Sequence, residues 1–88
     1  MHNNFQILLE MAVNHLEQEV NRLVNQMDTS GGHDPSLPPP SMPTKSMLLL
    51  ADKLRRDEYA DSWMRRRVGR LSIIITQTTK ESLSDEDR

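Results

Sequence analysis

The sequence has no cysteine. Disulfides, thiolate metal sites and a cysteine nucleophile are therefore excluded, and one common sign of secretion is missing. Aromatic residues are nearly absent too, a single Phe, Tyr and Trp (Phe5, Tyr59 and Trp63) in 88 residues. A core built by one copy would be thin, and small chains usually need a staple. Glycine is scarce, and no P-loop or Rossmann fingerprint is present. The three histidines, His2, His15 and His33, stand far apart without ligand spacing, so neither a metal nor another cofactor is expected.

Long apolar runs are missing as well. Residues 5–13 are interrupted by Glu10, and the run Met47-Leu48-Leu49-Leu50-Ala51 is far below spanning length. The expectation is a soluble, cytoplasmic chain without a membrane partner. Its net charge is only −2, but the distribution is uneven. Residues 1–28 carry Glu10, Glu17, Glu19 and Asp28 against Arg22, a net of −3. Residues 53–70 carry seven Lys and Arg against Asp57, Glu58 and Asp61, a net of +4. Local cationic character is real, whereas the acidic end at Glu81, Asp85, Glu86 and Asp87 argues against general nucleic-acid binding.

What is present is a helical seam. Leu9, Val13, Leu16, Val20, Leu23 and Met27 follow one another at spacings of 4, 3, 4, 3 and 4, a heptad rhythm with Val at a and Leu at d. The seam predicts a helix over residues 4–27, with Asn3 or Asn4 as its cap and Asn14, Gln18, Asn21 and Asn25 on the polar side. Residues 28–43 read DTSGGHDPSLPPPSMP. Gly31-Gly32 stops the helix, and five prolines forbid another, which makes this stretch a connector. The proline run resembles an SH3-type ligand, but a spacer is the simpler reading.

A second register begins near Thr44 or Ser46: Met47, Leu50, Leu54, Asp57, Asp61, Met64, Val68, Leu71 and Ile75. It predicts a helix over 44–79 with a kink or break near 57–61, because two core slots hold carboxylates that are costly to bury. Either Asp57 caps a second segment there, or the two Asp face cations or water. Residues 71–79, LSIIITQTT, suit a strand by β-branching and a helix by register. Helix is preferred, because a lone strand would leave its backbone unpaired. Residues 81–88 are expected to be a disordered acidic tail beyond a single domain over 1–80.

The expected architecture is all-α: an antiparallel helical hairpin, closed by the Pro-rich connector. If Met27 faces Met47, Met64 falls near Glu10 and Val68 near Gln6, and Leu71, Ile73, Ile74 and Ile75 overhang. Leaving each in water forgoes roughly 1.5–3 kcal/mol. The hairpin is therefore expected to assemble as a homo-oligomer, with a parallel coiled-coil dimer through the first helix as the competing arrangement.

Trp63-Met64-Arg65-Arg66-Arg67-Val68-Gly69-Arg70 carries the sharpest chemistry. Arginine forks suit phosphate, and Trp63, Tyr59 or Phe5 could stack a base. The same arginines could instead form a solvated face, paired with Asp61, Glu58 and the acidic first helix of a neighbour. Asp57, Glu58 and Asp61 lack a calcium-type loop and read as ion-pair partners. His15 and Glu19 stand i, i+4, close enough to hydrogen-bond. No catalytic constellation is legible, and an enzyme is not expected.

Two roles remain. One is a non-enzymatic interaction protein or inhibitor, a form phage-encoded regulators often take. The other is a binding module that grips a phosphate-bearing ligand between subunits. In outline the chain resembles the phage anti-CBASS sponge proteins, over residues 3–80, through its helical hairpin, Pro-rich hinge and basic second helix. That resemblance implies a homo-oligomer that sequesters cyclic oligonucleotides, with no site residue carried across. A DNA-binding regulator ranks below both.

Overall fold

A computed structural model describes residues 4–28 and 31–86, with side chains through Lys80. It is all-α, with three helices: α1 (Asn4–Met27), α2 (Thr44–Arg56) and α3 (Ser62–Glu86). No strand occurs among the described residues, so 71–79 is helical. The expected cap at Asn3 lies outside the described residues. So do residues 87 and 88 of the acidic tail and the side chains of residues 81–86, where the backbone continues α3.

The second register is interrupted by a full turn rather than a kink. Asp57 ends α2, its N–H bonding to the Leu54 carbonyl, and its Oδ1 accepts from the Tyr59 N–H at 2.9 Å. Asp61, not Asp57, caps the segment that follows: its Oδ1 accepts from the Met64 N–H at 2.8 Å, the usual reach of an N-cap carboxylate to the third helical residue. The two acidic core slots are thus turn and cap residues, not ion-pair partners. Among the described residues neither they nor Glu58 enter a salt bridge. Helix α2 starts with Pro43 at its cap position, in extended conformation and without a side-chain cap bond, rather than with Thr44 or Ser46 as the cap.

This turn redirects the chain. Met42 and Thr44, at the head of α2, lie beside Leu23 and Met27, while Tyr59, just past its end, stacks on Phe5. Helix α2 therefore descends along α1. Helix α3 then climbs again: Arg67 reaches Asn14 and Glu17, and Ile74 shares a groove with Asn21. The expected placement of Val68 near Gln6 is overturned, because the adjacent Arg67 reaches Asn14 and Glu17, and the hairpin gives way to an up-down-up bundle. The overhang disappears with it. Leu71 and Ile75 are buried, Ile75 at 0% exposure, Ile74 is half-buried, and only Ile73 remains outside.

One core joins the three helices. Leu9, Val13, Leu16, Val20 and Leu23 of α1 pack with Met47, Ala51 and Leu54 of α2 and with Met64, Val68, Leu71 and Ile75 of α3. Leu50 is half-buried at the margin. Met27, the last seam position, is 42% exposed.

The connector is tied down at both ends. Asn25 brackets Asp34, donating to its carbonyl at 3.0 Å and accepting from its N–H at 2.7 Å, and the His33 ring N–H donates to the Asn25 carbonyl at 2.9 Å. Gly31 turns the chain with φ of 98°, a conformation glycine adopts without strain. At the far end, Glu19 holds Ser41. Among the described residues, no helix is long and apolar enough to cross a membrane, and no cluster of metal-ligating side chains forms.

Candidate functional site

The core stripe of α3 is Met64, Val68, Leu71 and Ile75. One position earlier in each turn stand Trp63, Arg67, Arg70 and Ile74, at spacings of 4, 3 and 4. That stripe lies along the flank of α3 that borders α1, facing Glu17 and Asn21. The two helices enclose an open groove of about 370 Å³, lined by these residues with Arg66 and Leu71. Trp63 is 62% exposed at its rim.

The three arginines of the groove differ in state. Arg67 is committed: its guanidinium donates to Glu17 at 2.7 Å and to Asn14 at 3.0 Å. Arg66 and Arg70 are exposed, and among the described residues neither enters a salt bridge. Among the described residues Glu17 is the only carboxylate lining the groove, and with the three arginines it leaves a net of +2. Two free guanidinium forks beside an indole face and an apolar floor can hold a carboxylate or a phosphate with a planar or apolar group attached.

The other sequence-predicted site residues lie elsewhere. Arg65 points toward the α2–α3 turn and donates to the Asp57 carbonyl at 3.4 Å. Phe5 and Tyr59 stack on each other, with centroids 4.9 Å apart and planes 13° from parallel. They occupy a separate recess with Leu8, Ala12 and Asp57. Arg55 and Arg56 both pair with Asp52, at 3.7 and 3.2 Å. The groove therefore unites Trp63, Arg66, Arg67 and Arg70 and leaves out Arg65, Tyr59 and Phe5.

Sequence reasoning placed the acidic partner of the arginines on a neighbour's first helix and missed that α1 of the same chain supplies it, through Glu17. Asn14 and Asn21 read as the outer face of a hairpin, yet with Glu17 they border α3. It missed Glu19 as well. This carboxylate is fully buried, accepts from Ser41 and Arg22, and makes no bond to His15. Burial alone would raise its pKa, but the two Ser41 hydrogen bonds, with Arg22 and His15 nearby, bring it below the usual carboxylate value. No local signal marks its burial, since Arg22 is an ordinary i, i+3 neighbour and Ser41 lies across the connector.

No protein-family model, curated protein or solved structure matches this chain.

Proposed function

We propose that the chain is a non-enzymatic interaction protein, an inhibitor or adaptor that captures an acidic segment of a partner protein in the α1–α3 groove. The observation that carries this reading is the pair Arg66 and Arg70, exposed and outside any described ion pair, next to an exposed Trp63. Trp and Arg are the side chains most enriched where protein interfaces gain their affinity. Self-association belongs to the same reading. Ile7, Leu8 and Met11 are exposed neighbours on the outer side of α1, and a second copy would cover them.

A second reading has a specific observation behind it. A groove of about 370 Å³ lies within the size range of small-ligand sites, and guanidinium forks fit phosphate as well as carboxylate. A cyclic nucleotide or other phosphate-bearing ligand could take the same place, within one copy or between copies.

Trp63 is the sole tryptophan, so its fluorescence reports on the groove directly. The experiment is a titration with an oligo-glutamate peptide and, separately, with a cyclic dinucleotide, each at low and high salt. The interaction reading expects a salt-sensitive change with the peptide, lost in the Arg66→Ala/Arg70→Ala double variant. A response to the dinucleotide alone would favour the second reading, and no response to either would sink both.

A further inference from the structure

The connector between α1 and α2 is longer than its task requires. Neighbouring helices of a bundle are usually joined by about 2–8 residues. Here sixteen residues, 28–43, lie between Met27 and Thr44. Ordered loops of that length commonly carry function.

Its proline half is fixed in position. The turn at Asp34, closed by the Leu37 N–H on the Asp34 carbonyl at 3.2 Å, is locked to α1 by the two Asn25–Asp34 bonds. Seven residues on, Ser41 is locked to the buried Glu19. Between the two locks runs Leu37-Pro38-Pro39-Pro40. Each proline ring sets φ near about −65°. Leu37, Pro38 and Pro39 each precede a proline, which disfavours the helical region and pushes them toward extended or polyproline geometry. Leu37, Pro38 and Pro39 are exposed. Beneath them, a shallow groove of about 430 Å³ separates Pro39 and Pro40 from Leu23 and the half-exposed Met27.

We propose that residues 37–40 form a pre-built polyproline ligand, docking onto a partner domain that reads proline helices through an aromatic-lined groove. The rings of Pro38 and Pro39 offer the apolar face such grooves take. The recess beside Met27 accepts an aromatic side chain from the rim of the partner. Locking both ends removes chain freedom before binding, so less is lost on docking than with a free peptide. The strap is separate from the α1–α3 groove, and its use does not depend on the function assigned there.

The test measures binding of isolated SH3, WW and EVH1 domains to the full chain by isothermal titration. At least one domain is expected to bind. Pro38→Ala/Pro39→Ala is expected to weaken that binding about tenfold or more, since it removes the rings that are read. Asn25→Ala, which unlocks one end, is expected to weaken it about threefold, and a free peptide of residues 34–42 is expected to bind more weakly than the chain by a similar factor. Arg66→Ala/Arg70→Ala is expected to bind as wild type. Binding by none of the three domains, binding unchanged in the proline variant, or binding lost in the arginine variant would each overturn the proposal. Should a strap variant fail to fold, competition by the peptide decides instead: a peptide that does not displace the chain refutes the strap as the ligand.

Discussion

Ser41 donates both its backbone N–H, at 2.7 Å, and its hydroxyl to one oxygen of Glu19, while Arg22 donates to the other at 3.1 Å. One oxygen of this carboxylate, which has no exposed surface, is satisfied by the connector passing over it and the other by Arg22 of α1 itself. Glu19→Ala would leave the Ser41 N–H without its acceptor and open a small void. The expected loss is about 2–3 kcal/mol, read as a lower urea midpoint at constant slope, with Glu19→Gln costing about half as much because one acceptor remains. An unchanged midpoint in the alanine variant would mean the contact is not made in solution.

The same pair sets a pH dependence. A free Glu titrates near about 4.3, and Glu19 is held below the usual value in the fold. A lowered folded pKa contributes stability that is complete above the unfolded pKa and fades as pH falls through the folded one. Asp34, lowered by its bonds to the Ser36 hydroxyl and N–H, acts in the same direction. Wild type should therefore lose stability below about pH 4.3, and Glu19→Gln should lose less over the same range. Parallel curves for the two proteins would show that Glu19 does not govern the acid limb.

Arg67 and Arg66 are adjacent in sequence and opposite in expected effect. Arg67→Ala breaks the partly exposed link to Glu17 and Asn14 and should cost about 0.5–1 kcal/mol. Arg66→Ala should stay within about 0.5 kcal/mol of wild type. A double-mutant cycle over Glu17 and Arg67 isolates the pair, and a coupling of zero would remove the α1–α3 link from the account.

Gly69 lies within α3, and a Cβ placed there meets nothing within 4 Å. Gly69→Ala should stabilise the chain by about 0.5–1 kcal/mol through helix propensity alone. Asp61→Ala, removing the α3 cap, should cost about 1 kcal/mol. Thermal melts of both variants check the pair, and the opposite sign for either would contradict the position assigned to it.

Ile75 separates the bundle from a two-helix hairpin. Buried completely between helices, it should lose about 2–5 kcal/mol on change to Ala, at protein concentrations too low for self-association. In a hairpin with an overhanging end, the same change would matter only where copies associate, and the loss would vanish on dilution.

Helix α1 and the start of α2 were readable because heptad spacing, two glycines and five prolines mark them without outside help. The reversal at 57–61 was harder. The spacing of 3 and 4 runs unbroken through Asp57 and Asp61; the two carboxylates in core slots mark a kink or break there, but not that Asp61 is the cap or that the chain reverses. Once α3 turns back, positions such as Asn14 and Glu17 change from solvent face to interface. The Trp63–Arg70 segment was legible as cationic, but which arginine is already engaged depends on where α3 returns, and no local pattern encodes that. Tyr59 and Phe5 suited base stacking by type, yet the turn brings them to each other instead.

Amide chemical-shift mapping on addition of an oligo-glutamate peptide tests whether the exposed Arg66 and Arg70, beside Trp63, form the proposed binding surface. The predicted shifts cluster at Asn21, Trp63, Arg66 and Arg70, disappear in the Arg66→Ala/Arg70→Ala variant, and spare residues 37–43. Shifts centred on the Phe5–Tyr59 recess, or an unperturbed Trp63 indole at saturating peptide, would contradict it.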